Sequence, residues 1–270
     1  MTATPTVPNP AVPNPAGPNP AEQTSSPRPA GRPPAGGPVE AEDRALLSIG
    51  VVAAVLGLVV EVAMGILHPS HAAPNDSAAA FEEYSHSHDW TLVHVGQFAG
   101  TLLVVVALVA IARSLSGQRG IPGALAVVGG VTAVLVAAVF AVQMAVDGVA
   151  LKGVIDTWAH TPAGPDKSAA FLAADAVRWI EKALSSFFHL LNGTTLLALG
   201  LSVAFGSGAR RRLGWVGAIA GGGFLVGGLV TSRTGFSPES GRFLTPALLL
   251  SAVFVIGTAV SLRREARTPR

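Results

Sequence analysis

Residues 90–113 of the 270-residue chain read WTLVHVGQFAGTLLVVVALVAIAR. At about 1.5 Å per residue, a helix of this length crosses the roughly 30 Å of hydrocarbon in a bilayer. One turn inside its leading end the stretch carries His94, and Gln97 follows three residues later. A second such stretch, SSFFHLLNGTTLLALGLSVAF at 185–205, has His189 and Asn192 at the same spacing. The chain therefore presents two membrane-length segments that each hold a histidine and a carboxamide near one end.

The composition excludes several classes of protein. Half of the residues are apolar, 13% are charged and the mean hydropathy is +0.51, which is typical of integral membrane proteins. The net charge is only +2, and the arginines form no stripe, so nucleic-acid binding is not predicted. The chain has no cysteine, which excludes disulfides, thiolate metal sites and iron–sulfur clusters. It also lacks HExxH, GxSxG, DxD and phosphate-loop motifs, so a hydrolase, kinase or glycosyltransferase function is not predicted.

Six apolar segments have the length of transmembrane helices. They lie at 45–67, 91–112, 121–146, 184–205, 215–230 and 243–262. We predict an all-α membrane protein with a transmembrane domain at 44–262 and a basic tail at 263–270. Residues 1–43 are rich in proline and contain PNPA three times, which predicts a disordered tail that is either a flexible extension or a docking site for a proline-binding partner.

The basic residues predict how these spans are oriented. An even number of spans places both termini on one side, and segments on that side carry 12 of the 18 Lys and Arg residues. Basic residues near span ends are retained in the cytoplasm. Three of the four tryptophans, Trp90, Trp158 and Trp179, lie near the opposite ends, where indole rings favour the headgroup region. We therefore predict cytoplasmic termini and a plasma-membrane location, and we call the opposite side the outer side.

Short matches between the two halves indicate an internal duplication. SAAAF at 77–81 precedes Trp90, and SAAF at 168–171 precedes Trp179 at a similar distance. We predict that spans one to four form a bundle of two related helical hairpins and that spans five and six add a C-terminal hairpin. Span five is rich in glycine, which favours close helix contact either within the chain or with a second copy.

The segment before span four is also amphipathic. Between residues 168 and 184, Leu172, Trp179 and Ile180 share one helical face, while Arg178 and Lys182 lie on another. This pattern is typical of a helix that rests in the membrane interface, and equally of a loop helix that packs on the outer surface of its own protein.

Polar side chains inside apolar spans are candidate functional residues, because a charged group there costs about 2.5 to 3.5 kcal/mol on insertion scales. The candidates are Glu61, His94, Gln97, Gln143, His189 and Asn192 within the spans, with Asp147 and His68 at their rims. All of them fall in the outer half of the predicted spans. The sequence therefore predicts a polar pocket that opens outward and is closed toward the cytoplasm.

Three hypotheses fit such a pocket. Haem or a metal ion could be held between His94 and His189, since facing histidines in a helical bundle recurrently hold such a centre. Alternatively, Glu61 and the two histidines serve a small transporter or sensor, and the histidines at similar depth are then the expected partners of Glu61. The third hypothesis is a structural membrane partner without a ligand, in which each histidine bonds a backbone carbonyl or a lipid headgroup.

Four more histidines lie between the first two spans and form a candidate surface metal cluster. They are His68, His71, His86 and His88. Zinc and copper accept imidazole ligands, but the spacing of these residues matches no specific metal motif. Adventitious binding on a flexible loop is the simpler interpretation.

Three passages resemble small multi-pass membrane proteins of actinobacteria that have no established activity. They are AVDGVALK at 145–152, FLAADAVRWIEKAL at 171–184 and the His68-Pro69 pair before an acidic loop. The resemblance covers roughly residues 45 to 205. It implies the fold type of a small multi-pass membrane protein and a plasma-membrane location, and it carries over no functional residue.

The predicted orientation can be tested by single-cysteine labelling, because the chain has no cysteine of its own. We expect Ala79→Cys and Pro165→Cys to react with a membrane-impermeant maleimide on intact cells, since both positions fall in predicted outer loops. If the two cysteines reacted only after cell lysis, the predicted orientation would be wrong.

Overall fold

Among the described residues, the computed structural model of the chain is entirely helical. It describes residues 38–73 and 75–266, with side chains from residue 42 onward. The elements are α1 (Pro38–Leu67), α2 (Ser77–Ser85), α3 (Trp90–Ser116), α4 (Ile121–Ala145), a π-helical segment (Val146–Leu151), α5 (Lys152–His160), α6 (Pro165–Ala204), α7 (Gly208–Thr234) and α8 (Pro238–Glu265). Most of the predicted proline-rich tail and the last four residues of the basic tail lie outside the described residues.

Six of the helical stretches are long and apolar enough to span a membrane, which confirms the predicted fold class. Their ends carry the expected signals. Pro122, Pro165 and Pro238 occupy the first turns of α4, α6 and α8, where a missing N–H is tolerated. Gly235 adopts a φ of 64° immediately after α7, a conformation that glycine reaches without steric cost.

The six long helices follow one another around a closed bundle. Each contacts the next along the chain, and α8 returns to contact α1. Glycines bring the backbones close together: a Cβ on Gly57 would lie 2.7 Å from the Gly100 carbonyl oxygen, so α1 and α3 nearly touch there. On α7, Gly217 faces Phe254 of α8, while Gly221 faces the α6 backbone. The glycine surface of α7 is thus used within the chain.

The main difference from the predicted spans concerns α6. The segment predicted as a loop helix and the fourth span form one helix of 40 residues, which is about 60 Å long and exceeds the hydrocarbon thickness. No proline or glycine interrupts residues 166–192, so nothing in the sequence ends the helix between the two parts. The third span is likewise extended, through the π-helical segment, into α5.

A small cap covers the outer end of the bundle. It consists of α2, α5 and the first half of α6, and it has its own hydrophobic core, in which Phe81, Ile155 and Ala174 are fully buried. Phe81 packs against Trp158 and Phe171 with ring centroids 6.1 and 5.6 Å away. The order of long helix, short helix and long helix therefore occurs twice, as α1-α2-α3 and as α4-α5-α6.

Within the cap, α6 has the opposite polarity to that of a helix on a soluble protein. Its apolar residues Leu172 and Trp179 are 68% and 54% exposed, whereas Arg178, Glu181 and Lys182 are buried. The sequence correctly separates these two faces but does not indicate that the polar face packs inward. Because lipid chains and the headgroup region accept apolar and indole side chains, the exposed face suits the edge of a bilayer.

Neighbouring glycines of α7 provide a matched test of the packing. A Cβ at Gly221 would lie 2.7 Å from the Gly193 carbonyl oxygen, whereas a Cβ at Gly222 would meet nothing within 4 Å. We expect Gly221→Ala to lower the free energy of unfolding by about 1 to 3 kcal/mol, because backbone atoms must move apart. Gly222→Ala should be neutral or stabilising by up to about 1 kcal/mol through helix propensity. Thermal unfolding of both variants in the same detergent measures the difference, and equal melting temperatures would contradict it.

Candidate functional site

The candidate site lies where the first turn of α3 docks on the π-helical segment. In a π-helix the wider turn disturbs the regular backbone hydrogen bonds, and side chains of α3 supply donors to two of its carbonyls. Trp90 Nε1 donates to the Asp147 carbonyl oxygen at 2.9 Å, and Thr91 Oγ1 donates to that of Gly148 at 2.8 Å. This docking holds Asp147 beside His94, which lies one turn further along α3.

His94 and Asp147 form a buried pair. The His94 side chain is 1% exposed, and its Nε2 atom lies 3.0 Å from Asp147 Oδ2. The other ring nitrogen, Nδ1, lies 2.7 Å from the Trp90 carbonyl oxygen. The Nε2 contact lacks hydrogen-bond alignment, and Asp147 Oδ1 has no hydrogen-bond partner among the described residues. We therefore treat the contact as an ion pair at short range.

The neighbours of the two His94 ring nitrogens bear on which of them carries a hydrogen. A carbonyl oxygen only accepts, so Nδ1 carries a hydrogen and donates to Trp90. An unprotonated Nε2 facing a carboxylate oxygen at 3.0 Å would place two lone pairs against each other. A proton on either the imidazole or the carboxyl group would make this contact attractive.

A second ion pair lies next to the first. Arg178 and Glu181 are both buried on α6, and Arg178 Nη1 donates to Glu181 Oε2 at 2.6 Å. Arg178 Nη2 also donates to the Tyr84 hydroxyl at 3.2 Å, and the guanidinium lies 5.2 Å from the centroid of the same ring. Burial raises the pKa of Tyr84, so the phenol stays neutral and can accept this hydrogen bond.

Aromatic rings join the two ion pairs. Trp90 is fully buried and lies 4.4 Å from His94 and 4.3 Å from Tyr84 between ring centroids. His68, which follows α1, lies 5.1 Å from Trp90 and 5.3 Å from His94. Burial, and then the charge of His94, lower the pKa of His68. We call these residues, His68, Tyr84, Trp90, His94, Asp147, Arg178 and Glu181, the outer network.

The remaining predicted pocket residues have different neighbours. Glu61 Oε1 accepts a hydrogen bond from Thr101 Oγ1 at 2.7 Å. His189 lies 3.4 Å from Ser185 Oγ through Nε2 and stacks on Phe224 of α7 at 5.8 Å. The recorded contacts thus join His94 with Asp147, whereas those of Glu61 and His189 involve neither of these residues. The haem or metal centre between His94 and His189 stays a prediction.

The carboxamides occupy the same half of the bundle. Gln143 lies one turn before Asp147 on α4 and is buried, and its Oε1 has no hydrogen-bond partner among the described residues. Gln97 and Asn192 are half-buried. A buried amide oxygen without a donor normally meets an ordered water or a ligand. Gln143 therefore extends the polar interior inward from the outer network.

The four loop histidines, which all lie in the described part of the chain, do not share contacts with one another. His71 pairs with Glu83 at 2.9 Å, His86 Nδ1 lies 2.7 Å from the Glu82 carbonyl oxygen, and His68 belongs to the outer network. His88 is exposed. Within residues 38–73 and 75–266, no group of three or more His, Cys, Asp or Glu side chains is arranged to hold a metal ion.

Comparisons of the chain with protein families, with curated proteins and with solved structures find no match. The function must therefore be argued from the site itself.

Gly148 allows the close docking of α3, and Gly153 offers a matched control. A Cβ at Gly148 would lie 2.6 Å from the His94 Cβ, whereas one at Gly153 would meet nothing within 4 Å. We expect Gly148→Ala to separate the π-helical segment from α3 and to lower the free energy of unfolding by about 1 to 3 kcal/mol. Gly153→Ala should leave stability unchanged or slightly increased. Thermal unfolding, with Trp90 emission as a second readout, checks this expectation. A Gly148→Ala protein as stable as Gly153→Ala would disprove the close docking.

Proposed function

We propose that the protein is a plasma-membrane sensor of protons on its outer side, and that the outer network is the sensing site. The observation that carries this proposal is the buried contact between His94 Nε2 and Asp147 Oδ2 at 3.0 Å, beside a π-helical segment. Histidine exchanges protons near neutral pH more readily than any other side chain. A proton gained or lost by this pair changes the charge at the point where α3 is attached to α4.

The distribution of polar groups supports sensing over conduction. Among the described residues, the buried ionisable side chains are Tyr84, His94, Asp147, Arg178, Glu181 and Lys182, and all of them lie at the outer end. The buried polar groups nearer the inner end, Thr195, Ser202 and Thr258, carry hydroxyls only. A path for ions needs polar groups or water through the whole hydrocarbon region. The site is thus suited to bind a proton and respond to it rather than to pass it across.

A change of charge in the network has a direct route to the helices. The Asp147 carboxylate contacts His94, and the Asp147 carbonyl oxygen accepts a hydrogen bond from Trp90 Nε1. One residue therefore makes both the electrostatic contact and the backbone contact with α3. Loss of the ion pair leaves a buried group without a counter-charge, which strongly destabilises its surroundings. The docking of α3 on the π-helical segment is therefore the contact that the proton controls, as in other histidine-based switches.

The response can be measured through Trp90, whose indole touches His94. The test protein carries Trp158→Phe, Trp179→Phe and Trp215→Phe, so that Trp90 is the only fluorophore of its kind. A protonated imidazole quenches a neighbouring indole more strongly than a neutral one. We expect Trp90 emission to rise as increasing pH removes a proton from the His94–Asp147 pair. In Asp147→Asn the rise should occur at lower pH, because the imidazolium loses its counter-charge.

Asp156→Asn is the control for the Asp147 change. Asp156 lies on α5, is partly exposed and pairs with Lys152, so its loss should leave the Trp90 transition in place. The same transition in Asp147→Asn as in the parent would refute the proposed site, as would Trp90 emission that does not depend on pH.

A further inference from the structure

We propose that Glu61 and Thr101 form a second site, separate from the outer network, at which a carboxyl group between α1 and α3 binds a proton and is reachable from the lipid. The proposal rests on the position, packing and exposure of Glu61, and it does not depend on the proposed sensing function. The chemical class of reagent that it takes is an apolar carbodiimide, which reacts with protonated carboxyl groups in membranes.

The carboxyl group is held between two helix backbones. Glu61 Oε1 accepts a hydrogen bond from Thr101 Oγ1 at 2.7 Å. The same oxygen lies 2.9 Å from where a Cβ on Gly100 would be, and the Gly57 carbonyl oxygen would be 3.1 Å from that Cβ. A side chain at position 100 would displace the carboxyl group from its present place. The small residues of α1 and α3 therefore form a seat for Glu61.

Glu61 is also in contact with the outside of the bundle at membrane depth. It lies six residues before the end of α1 at Leu67, which corresponds to about 9 Å along the helix axis. The Glu61 side chain is half-buried, and its neighbours Val59 and Val62 are 59% and 63% exposed. Val59 and Val62 mark the lipid-facing side of α1, which lies around the helix axis from Glu61. Gly65, one turn beyond Glu61 on its own face, is exposed and has open space beside it, so a lipid-soluble reagent can reach the half-buried carboxyl group.

The surroundings favour the uncharged acid. The charged or titratable groups on the elements that pack against α1 are His94 and Arg113 on α3, and Glu239, Arg242, Arg263, Arg264 and Glu265 on α8. His94 lies almost two turns outward of Thr101 and pairs with Asp147, and the others lie near helix ends. His68 follows α1 and belongs to the outer network. The recorded partner of Glu61, Thr101, is neutral, so a carboxylate here would face hydrocarbon without a counter-charge, and the protonated form avoids this cost.

The labelling reaction requires that proton. The carboxyl proton moves to one nitrogen of the carbodiimide while the carboxylate oxygen bonds to its central carbon, which gives an O-acylisourea. The acyl group then moves from oxygen to the neighbouring nitrogen and forms a stable N-acylurea. No atom leaves, so the protein gains the mass of one carbodiimide. An ionised carboxylate supplies no proton for the first step.

The experiment treats native membranes that contain the full chain with dicyclohexylcarbodiimide at acidic, neutral and alkaline pH, and locates the added mass by peptide mass spectrometry. We expect one modified residue within the spans, Glu61, with a labelled fraction that falls as pH rises. Thr101→Val should remain labelled to higher pH, because it removes the hydroxyl that donates to the carboxylate. Glu61→Gln should abolish the label and keep the fold, since the amide oxygen can still accept from Thr101.

Two further arms separate the proposal from its alternatives. A water-soluble carbodiimide should label the exposed residues Glu82 and Asp166 but spare Glu61. Asp147→Asn should leave Glu61 labelling unchanged, so that failure of the sensing proposal and failure of this one are distinguishable. The proposal is overturned if Glu61 stays unlabelled by the apolar reagent, if its labelling does not vary with pH, or if sodium protects it, which would make it a metal-cation site.

Discussion

The structure depends on how backbone groups are satisfied at the edge of a membrane, where lipid offers no hydrogen bonds. A π-helical turn at Val146–Leu151 alters the regular bonding of its carbonyls, and Trp90 and Thr91 supply side-chain donors to two of them. Those donors occupy the first turn of α3, so the same contacts set the height of α3 against α4. His94 and Asp147 meet because this docking places them at one level. The satisfied backbone carbonyls and the His94–Asp147 contact are thus two results of one arrangement.

The outer network also explains the inverted polarity of α6. In water a helix turns its charged face outward, but here lipid and headgroups surround the bundle and the protein interior is the more polar medium. Arg178 and Glu181 therefore point inward, where they pair with each other and with Tyr84. Leu172 and Trp179 point outward. Buried ion pairs add little net stability compared with apolar packing.

The sequence predicts the spans well because the signal is strong: about 20 consecutive apolar residues leave few alternatives. It also identifies His94, Asp147 and Glu61, since polar groups in apolar spans are conspicuous. It does not predict the π-helical segment, because VDGVAL contains no residue that distinguishes a π turn from an α turn. Arg178 and Glu181 are missed as site residues because periodicity separates two faces of a helix but does not show which one packs inward. For Glu61, the ionisable residues at similar depth predict a histidine as its partner. Thr101 gives no such signal, because its hydroxyl is neutral and common in helices.

The uninterrupted length of α6 has a mechanical consequence. A helix of 40 residues with no proline or glycine between residues 166 and 192 resists bending, because each turn is held by its own backbone hydrogen bonds. The inner half of α6 packs against α7 through close backbone contacts, and its outer half forms one side of the cap. A tilt of the helix axis at one end would therefore move the other end as well, so that a force exerted by the bilayer on the membrane-spanning half would displace the cap.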